Sequence, residues 1–174
     1  MLNRLRWIIV LGAALCALAR AEVDEYQLKS AFLYNFAKFV DWPPEAFSSP
    51  SDPFAICVLG ENPFGKALAV LIEGKTLNGR SFQLRLIPDA KHGSTCQILF
   101  VSSSERNRFR SILGELKASA VLTVGDTAGF ATAGGVANLT LDGETIRIEI
   151  NIEIAKQKNL RISSKLLNLA RIVK

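Results

Sequence analysis

Phe54-Ala55-Ile56-Cys57-Val58-Leu59-Gly60-Glu61-Asn62-Pro63-Phe64-Gly65 decides the fold. Six consecutive apolar residues ended by a glycine suit a strand buried on both faces, because a strand with one wet face would alternate apolar and polar residues. Asn62-Pro63 then reads as an N-cap followed by proline at the first position of a helix through Leu71. A strand with a helix at its carboxyl end is the repeating unit of a parallel sheet.

The unit recurs downstream. Gln97–Val101 is a second apolar run, followed by Ser102-Ser103-Ser104 as capping residues and a charged helix through Ala118 that turns Phe109, Ile112, Leu113 and Leu116 inward. Ala120–Val124 is the third run. Asn78-Gly79 marks a turn, and Ser81–Leu86 alternates Phe82, Leu84 and Leu86 with Gln83 and Arg85, the pattern of a half-exposed strand.

Upstream, Glu25–Val40 is an amphipathic helix with Leu28, Ala31, Phe32, Asn35, Phe36 and Phe39 at helical spacing, stopped by Trp42-Pro43-Pro44. The spacing predicts Phe32, Phe36 and Phe39 in the core, with Tyr34 and Lys38 outward. Gly125–Gly135 is a glycine-rich connection around Phe130. Val136–Leu141 and Thr145–Ile150 form a hairpin through Asp142-Gly143. Asn151 caps a short helix, and Ser163 or Ser164 starts the last one, with Leu166, Leu167, Leu169 and Ala170 on its inner face. The prediction is an α/β three-layer sandwich, with a mostly parallel central sheet and a C-terminal antiparallel hairpin, formed by a single domain over residues 22–174.

Residues 1–21 read as a secretory signal peptide. Arg4 and Arg6 precede an apolar run over Trp7–Leu18, and Ala19-Arg20-Ala21 supplies the small-residue cleavage pattern. A membrane anchor is the rival reading, but a run of roughly 20 apolar residues is needed to cross a bilayer. Leu15 before Cys16 argues against lipoprotein processing, which requires a small residue there. The expected fate is therefore export to an oxidising compartment. Loss of three arginines with the leader reduces 21 basic against 16 acidic residues to 18 against 16, which gives nucleic acid no basic stripe to bind.

Two cysteines remain, Cys57 and Cys96, in an oxidising compartment, and they are expected to pair. Two buried free thiols are the alternative. Neither has a Cys or His at metal-ligand spacing, and C-x-x-C is absent, so neither a metal nor thiol exchange is indicated. No cofactor is implied.

Catalytic patterns are equally sparse. The only histidine, His92, lies in a polar loop, and the chain has no serine nucleophile elbow. The glycines of 125–135 fit neither phosphate-binding fingerprint. The last helix offers more: Arg161 lies two residues before Ser163-Ser164, and Arg147 and Glu149 project from one face of the preceding strand. Helix-start N–H groups and an arginine fork compose a site for a small anionic ligand or a carboxylate. A capped helix whose arginine pairs with a surface acid is the simpler reading of the same residues.

The motifs E-x-x-L-K-S-A-F-L-Y-N-F-A-K-F-V-D-W-P (Glu25 to Pro43), F-A-I-C-V-L-G-x-N-P-F-G (Phe54 to Gly65), L-N-G-R (Leu77 to Arg80), C-x-I-L-F-V-S (Cys96 to Ser102), L-T-V-G-D-x-x-G-F (Leu122 to Phe130) and I-S-S-K-L-L-x-L-A (Ile162 to Ala170) occur in order along the chain. In combination the sequence resembles the YfiR family of periplasmic regulators. The resemblance implies a non-enzymatic homodimer that binds the periplasmic sensor domain of a membrane-bound GGDEF-type diguanylate cyclase, inhibits it, and lowers cyclic di-GMP and biofilm formation. It places Cys57 and Cys96 at the family's cysteine pair, and Glu149 and Arg161 on its functional C-terminal surface. A second cysteine pair of some members would fall near Gly125–Leu139, where this chain has none. A periplasmic small-molecule receptor is the next reading, and a hydrolase follows it.

Overall fold

The computed structural model describes residues 25–143 and 145–174; the signal-peptide reading of residues 1–21 lies outside them. Helix α1 covers 25–39 and passes directly into β1 (Val40–Asp41). There follow β2 (Phe54–Leu59), α2 (Ala67–Ile72), β3 (Thr76–Leu77), β4 (Arg80–Ile87), β5 (Ile98–Val101), α3 (Phe109–Glu115) and β6 (Leu122–Gly125). The chain ends in β7 (Ala137–Asp142), β8 (Thr145–Asn151), α4 (Ile152–Gln157), β9 (Arg161–Ile162), α5 (Ser164–Leu167) and β10 (Arg171–Val173).

Eight strands form one sheet in the order β10-β8-β7-β6-β5-β2-β4-β3. The run from β4 through β2, β5 and β6 to β7 is parallel. β8 returns antiparallel to β7 as the expected hairpin, and β10 lies parallel to β8. β1 and β9 make a separate antiparallel ribbon.

β2 has a strand on each edge and a packed layer on each face, so all six of its residues are buried. Ile56 and Val58 meet Leu33 and Phe36 of α1 and Leu68 and Ile72 of α2. Ala55, Cys57 and Leu59 meet Phe109, Ile112 and Leu113 of α3 on the other side. The chain thus leaves β2 toward one face and β5 toward the opposite face, which makes the junction of these adjacent strands the topological switch point of the sheet. Cys57 is bonded to Cys96, just before β5, with Cα atoms 6.0 Å apart.

Four local expectations are corrected. α2 begins at Ala67, because the Asn62 cap closes only a turn, its Oδ1 accepting from Phe64 N at 3.1 Å, and Gly65 then turns left-handed at φ 53°. The buried stripe of α1 is rotated: Lys29, Ser30, Leu33, Phe36 and Ala37 face inward, Phe32 and Phe39 are half-buried, and Leu28 is exposed. Leu86 is 62% exposed, since β3 pairs only with Arg80 and Ser81 and leaves the rest of β4 as an open edge. Leu169 is 73% exposed, because α5 ends at Leu167 after about one turn.

Candidate functional site

The candidate side chains fall into two separate groups, and buried polar side chains make up a third. The first contains Glu149 and Arg147 on β8, whose cross-strand partners on β7 are Asn138 and Thr140. Glu149 is 16% exposed; Asn138 Nδ2 donates to its Oε2 at 3.4 Å, and Arg171 Nη1 of β10 approaches its Oε1 at 3.7 Å. Arg147 pairs with Asp142 at the mouth of the hairpin. Among the described residues the apolar layer on the α3 side includes none from β7, β8 or β10. This polar face is open at Arg147 and Arg171, half-buried at Thr140, and closes toward Glu149 and the fully buried Asn138 under the loop after β6.

Arg161 and Ser163 form the second group. Arg161 sits opposite Asp41 in the β1–β9 ribbon and lines a cleft of about 560 Å³ with Trp42, Pro43 and Lys156. Ser163 Oγ accepts from Lys165 N at 3.2 Å, and Ser163 N donates to Phe39 O at 2.8 Å, so the residue both caps α5 and ties it to α1. Among the described residues no hydrogen bond or ion pair connects this pair to Glu149 or Arg147.

The third group is a buried cluster between the start of α1 and the loop after β6. Lys29 is 2% exposed, and its ammonium lies 3.3 Å from Asp126 Oδ2, also pairs with Glu25, and sits over the Tyr26 ring at 4.5 Å from its centroid. Tyr26 donates its hydroxyl to the same Asp126 oxygen. Burial, then the hydrogen bond and negative charge of Asp126, raise the Tyr26 pKa, so the phenol remains protonated. Asp126 Oδ1 and Asn138 Oδ1 are buried and lack a hydrogen-bond partner among the described residues. Thr127 O accepts from Asn138 Nδ2 at 3.0 Å, so a polar path runs from Asp126, through the next residue and Asn138, to Glu149.

Sequence reasoning missed this cluster because periodicity counts lysine as solvent-facing. The available signals were a lysine on the 29–33–36–40 stripe and an acid immediately after the third apolar strand.

A family model described as YfiR/HmsC-like matches residues 26–171. The chain belongs to the YfiR/HmsC-like family. Membership supports a regulatory role in the periplasm. Among the described residues no helix is long and apolar enough to cross a membrane. No curated protein matches the sequence. Among solved structures, an ABC domain in complex with L-Trp from Streptococcus pneumoniae is 12% identical over 74% of this chain, with a TM-score of 0.49. A conserved domain protein from Vibrio cholerae O1 biovar El Tor is 11% identical over 70% of this chain, with a TM-score of 0.51, a likeness of fold alone. This YfiR/HmsC-like chain covers 57% and 55% of those two structures.

Proposed function

We infer that the protein is an inhibitory binding protein: it docks on the periplasmic sensor domain of a membrane-bound GGDEF-type diguanylate cyclase and holds the enzyme in a low-activity state. Cyclic di-GMP and biofilm formation fall as a result, and release from the cyclase transmits an envelope signal. The observation that carries the reading is the partly open polar face of β7, β8 and β10, exposed at Arg147 and Arg171, in a chain of this family. Glu149 is held there between Asn138 and Arg171, so its charge is presented in a fixed position. Exposed Leu169 lies just before the edge strand, where it can serve as an apolar anchor beside this face, while exposed Ile172, in register with Ile150, points to the opposite face of the sheet. Fixed charges at the rim set association rate and partner choice.

The test is binding of the purified exported protein to the isolated periplasmic domain of a cognate cyclase. Glu149→Gln keeps an acceptor for Asn138 while removing the charge, and is expected to weaken binding by about tenfold, a loss of roughly 1.4 kcal/mol, without lowering the melting temperature. Tight binding by wild type and variant alike would reject the Glu149 face and keep the partner. Absence of binding by the wild type would reject the inhibitory reading.

A further inference from the structure

The switch point between β2 and β5 opens into a cleft of about 600 Å³, within the range of small-molecule sites. Open α/β sheets form ligand-binding crevices at this position because the connections leave neighbouring strands toward opposite faces. Here the two loops are pinned together. Glu61 N donates to Ser104 Oγ at 3.0 Å, and Gly60, at φ 91°, passes so close to Ser104 that a β-carbon would collide with its hydroxyl.

The lining selects the ligand's chemistry. Glu61 stands on the β2 loop, Arg106 and Asn107 on the β5 loop, and Ser103, Ser104 and Tyr26 add hydroxyls. Glu61, Arg106 and Asn107 side chains make no hydrogen bond or ion pair among the described residues. A lone anion would meet Glu61 and a lone cation Arg106, whereas adjacent hydroxyls can donate to Glu61 and accept from Arg106 at once; a zwitterion is the competing class, and glycine tests it. Carboxylate, guanidinium and amide groups are planar and two-pronged, suited to adjacent hydroxyls that each donate and accept. Tyr26 commits its proton to Asp126, and its oxygen faces the Ser103 hydroxyl at the cleft wall.

We propose that this cleft binds a small uncharged polyhydroxy solute of the monosaccharide or disaccharide class. The site is distinct from the Glu149 face, and its test does not depend on the cyclase reading. The exported protein, labelled with nitrogen-15, is titrated with D-glucose, D-galactose and trehalose, with glycine and inorganic phosphate as charged probes. At least one sugar is expected to shift the amides of 60–62 and 102–107 saturably, and Arg106→Ala combined with Asn107→Ala to weaken it by about tenfold. Both residues are exposed, so melting should be unchanged. The proposal is overturned if no sugar shifts these amides at about 50 mM, far above a millimolar Kd. It is equally overturned if only glycine or phosphate does so, or if the double variant binds sugar like the wild type.

Discussion

Tyr26 donates its hydroxyl to Asp126 Oδ2 over 2.7 Å, joining the start of α1 to the loop after β6 across a hundred residues of chain. The Tyr26 pKa is raised above its ordinary value of 10.0, so the native state keeps a proton that the unfolded chain releases once pH passes that value. Stability from this group is therefore fully present below pH 10.0 and declines as pH rises above it. Urea unfolding from one unit below to one unit above that pH should show the decline in wild type, and Tyr26→Phe should flatten it. Equal slopes would show that the phenol does not report the cluster.

Lys29 and Asp126 are 2% and 1% exposed at their side chains, so removing one partner strands a buried charge. Lys29→Met should cost about 3–5 kcal/mol, and adding Asp126→Leu should recover much of it, because an apolar pair of similar volume avoids the desolvation penalty. Denaturant midpoints of the single and double variants check this; additive losses would contradict it.

The sheet was legible wherever burial was simple. The continuous runs 54–59, 97–101 and 120–124 overlap β2, β5 and β6, and Asp142-Gly143 turns the β7–β8 hairpin with Gly143 at φ 63°. Tertiary pairing defeated the same logic on α1. Lys29, already paired with Glu25 one turn earlier on the same helix, is buried because Asp126 from the loop after β6 meets it, and no apolar-pattern plot of α1 contains Asp126. Leu86 and Leu169 failed for a related reason: periodicity assigns a face, but only the neighbouring element decides whether that face is covered. Glu149 and Arg161 could be named from the strand pattern before the last helix and from the family resemblance, while their placement in unconnected groups required the topology.

Phe130 is fully buried, with its ring against Gly125 and Gly135, where a β-carbon on either glycine would enter the ring. Phe130→Ala should lower stability by about 3–5 kcal/mol through cavity formation. Gly135→Ala should also destabilise, and pairing it with Phe130→Ala should cost less than the sum, since the colliding ring is gone. Thermal melts of the three variants distinguish strict additivity from this relief.

The Cys57–Cys96 bond closes a separation of 39 residues between β2 and the approach to β5. Replacing both with serine should cost about 2–5 kcal/mol and lower the melting temperature, with the far-ultraviolet spectrum of the folded protein unchanged. Retention of full stability would show that the bridge contributes nothing beyond packing.

The account turns on restraint of a cyclase, and cellular cyclic di-GMP is its most direct readout. In the source strain, deleting the gene should raise cyclic di-GMP, wild-type protein supplied in trans should return it to the parental level, and Glu149→Arg, once shown to fold, should fail to do so. Unchanged cyclic di-GMP in the deletion strain would contradict the account.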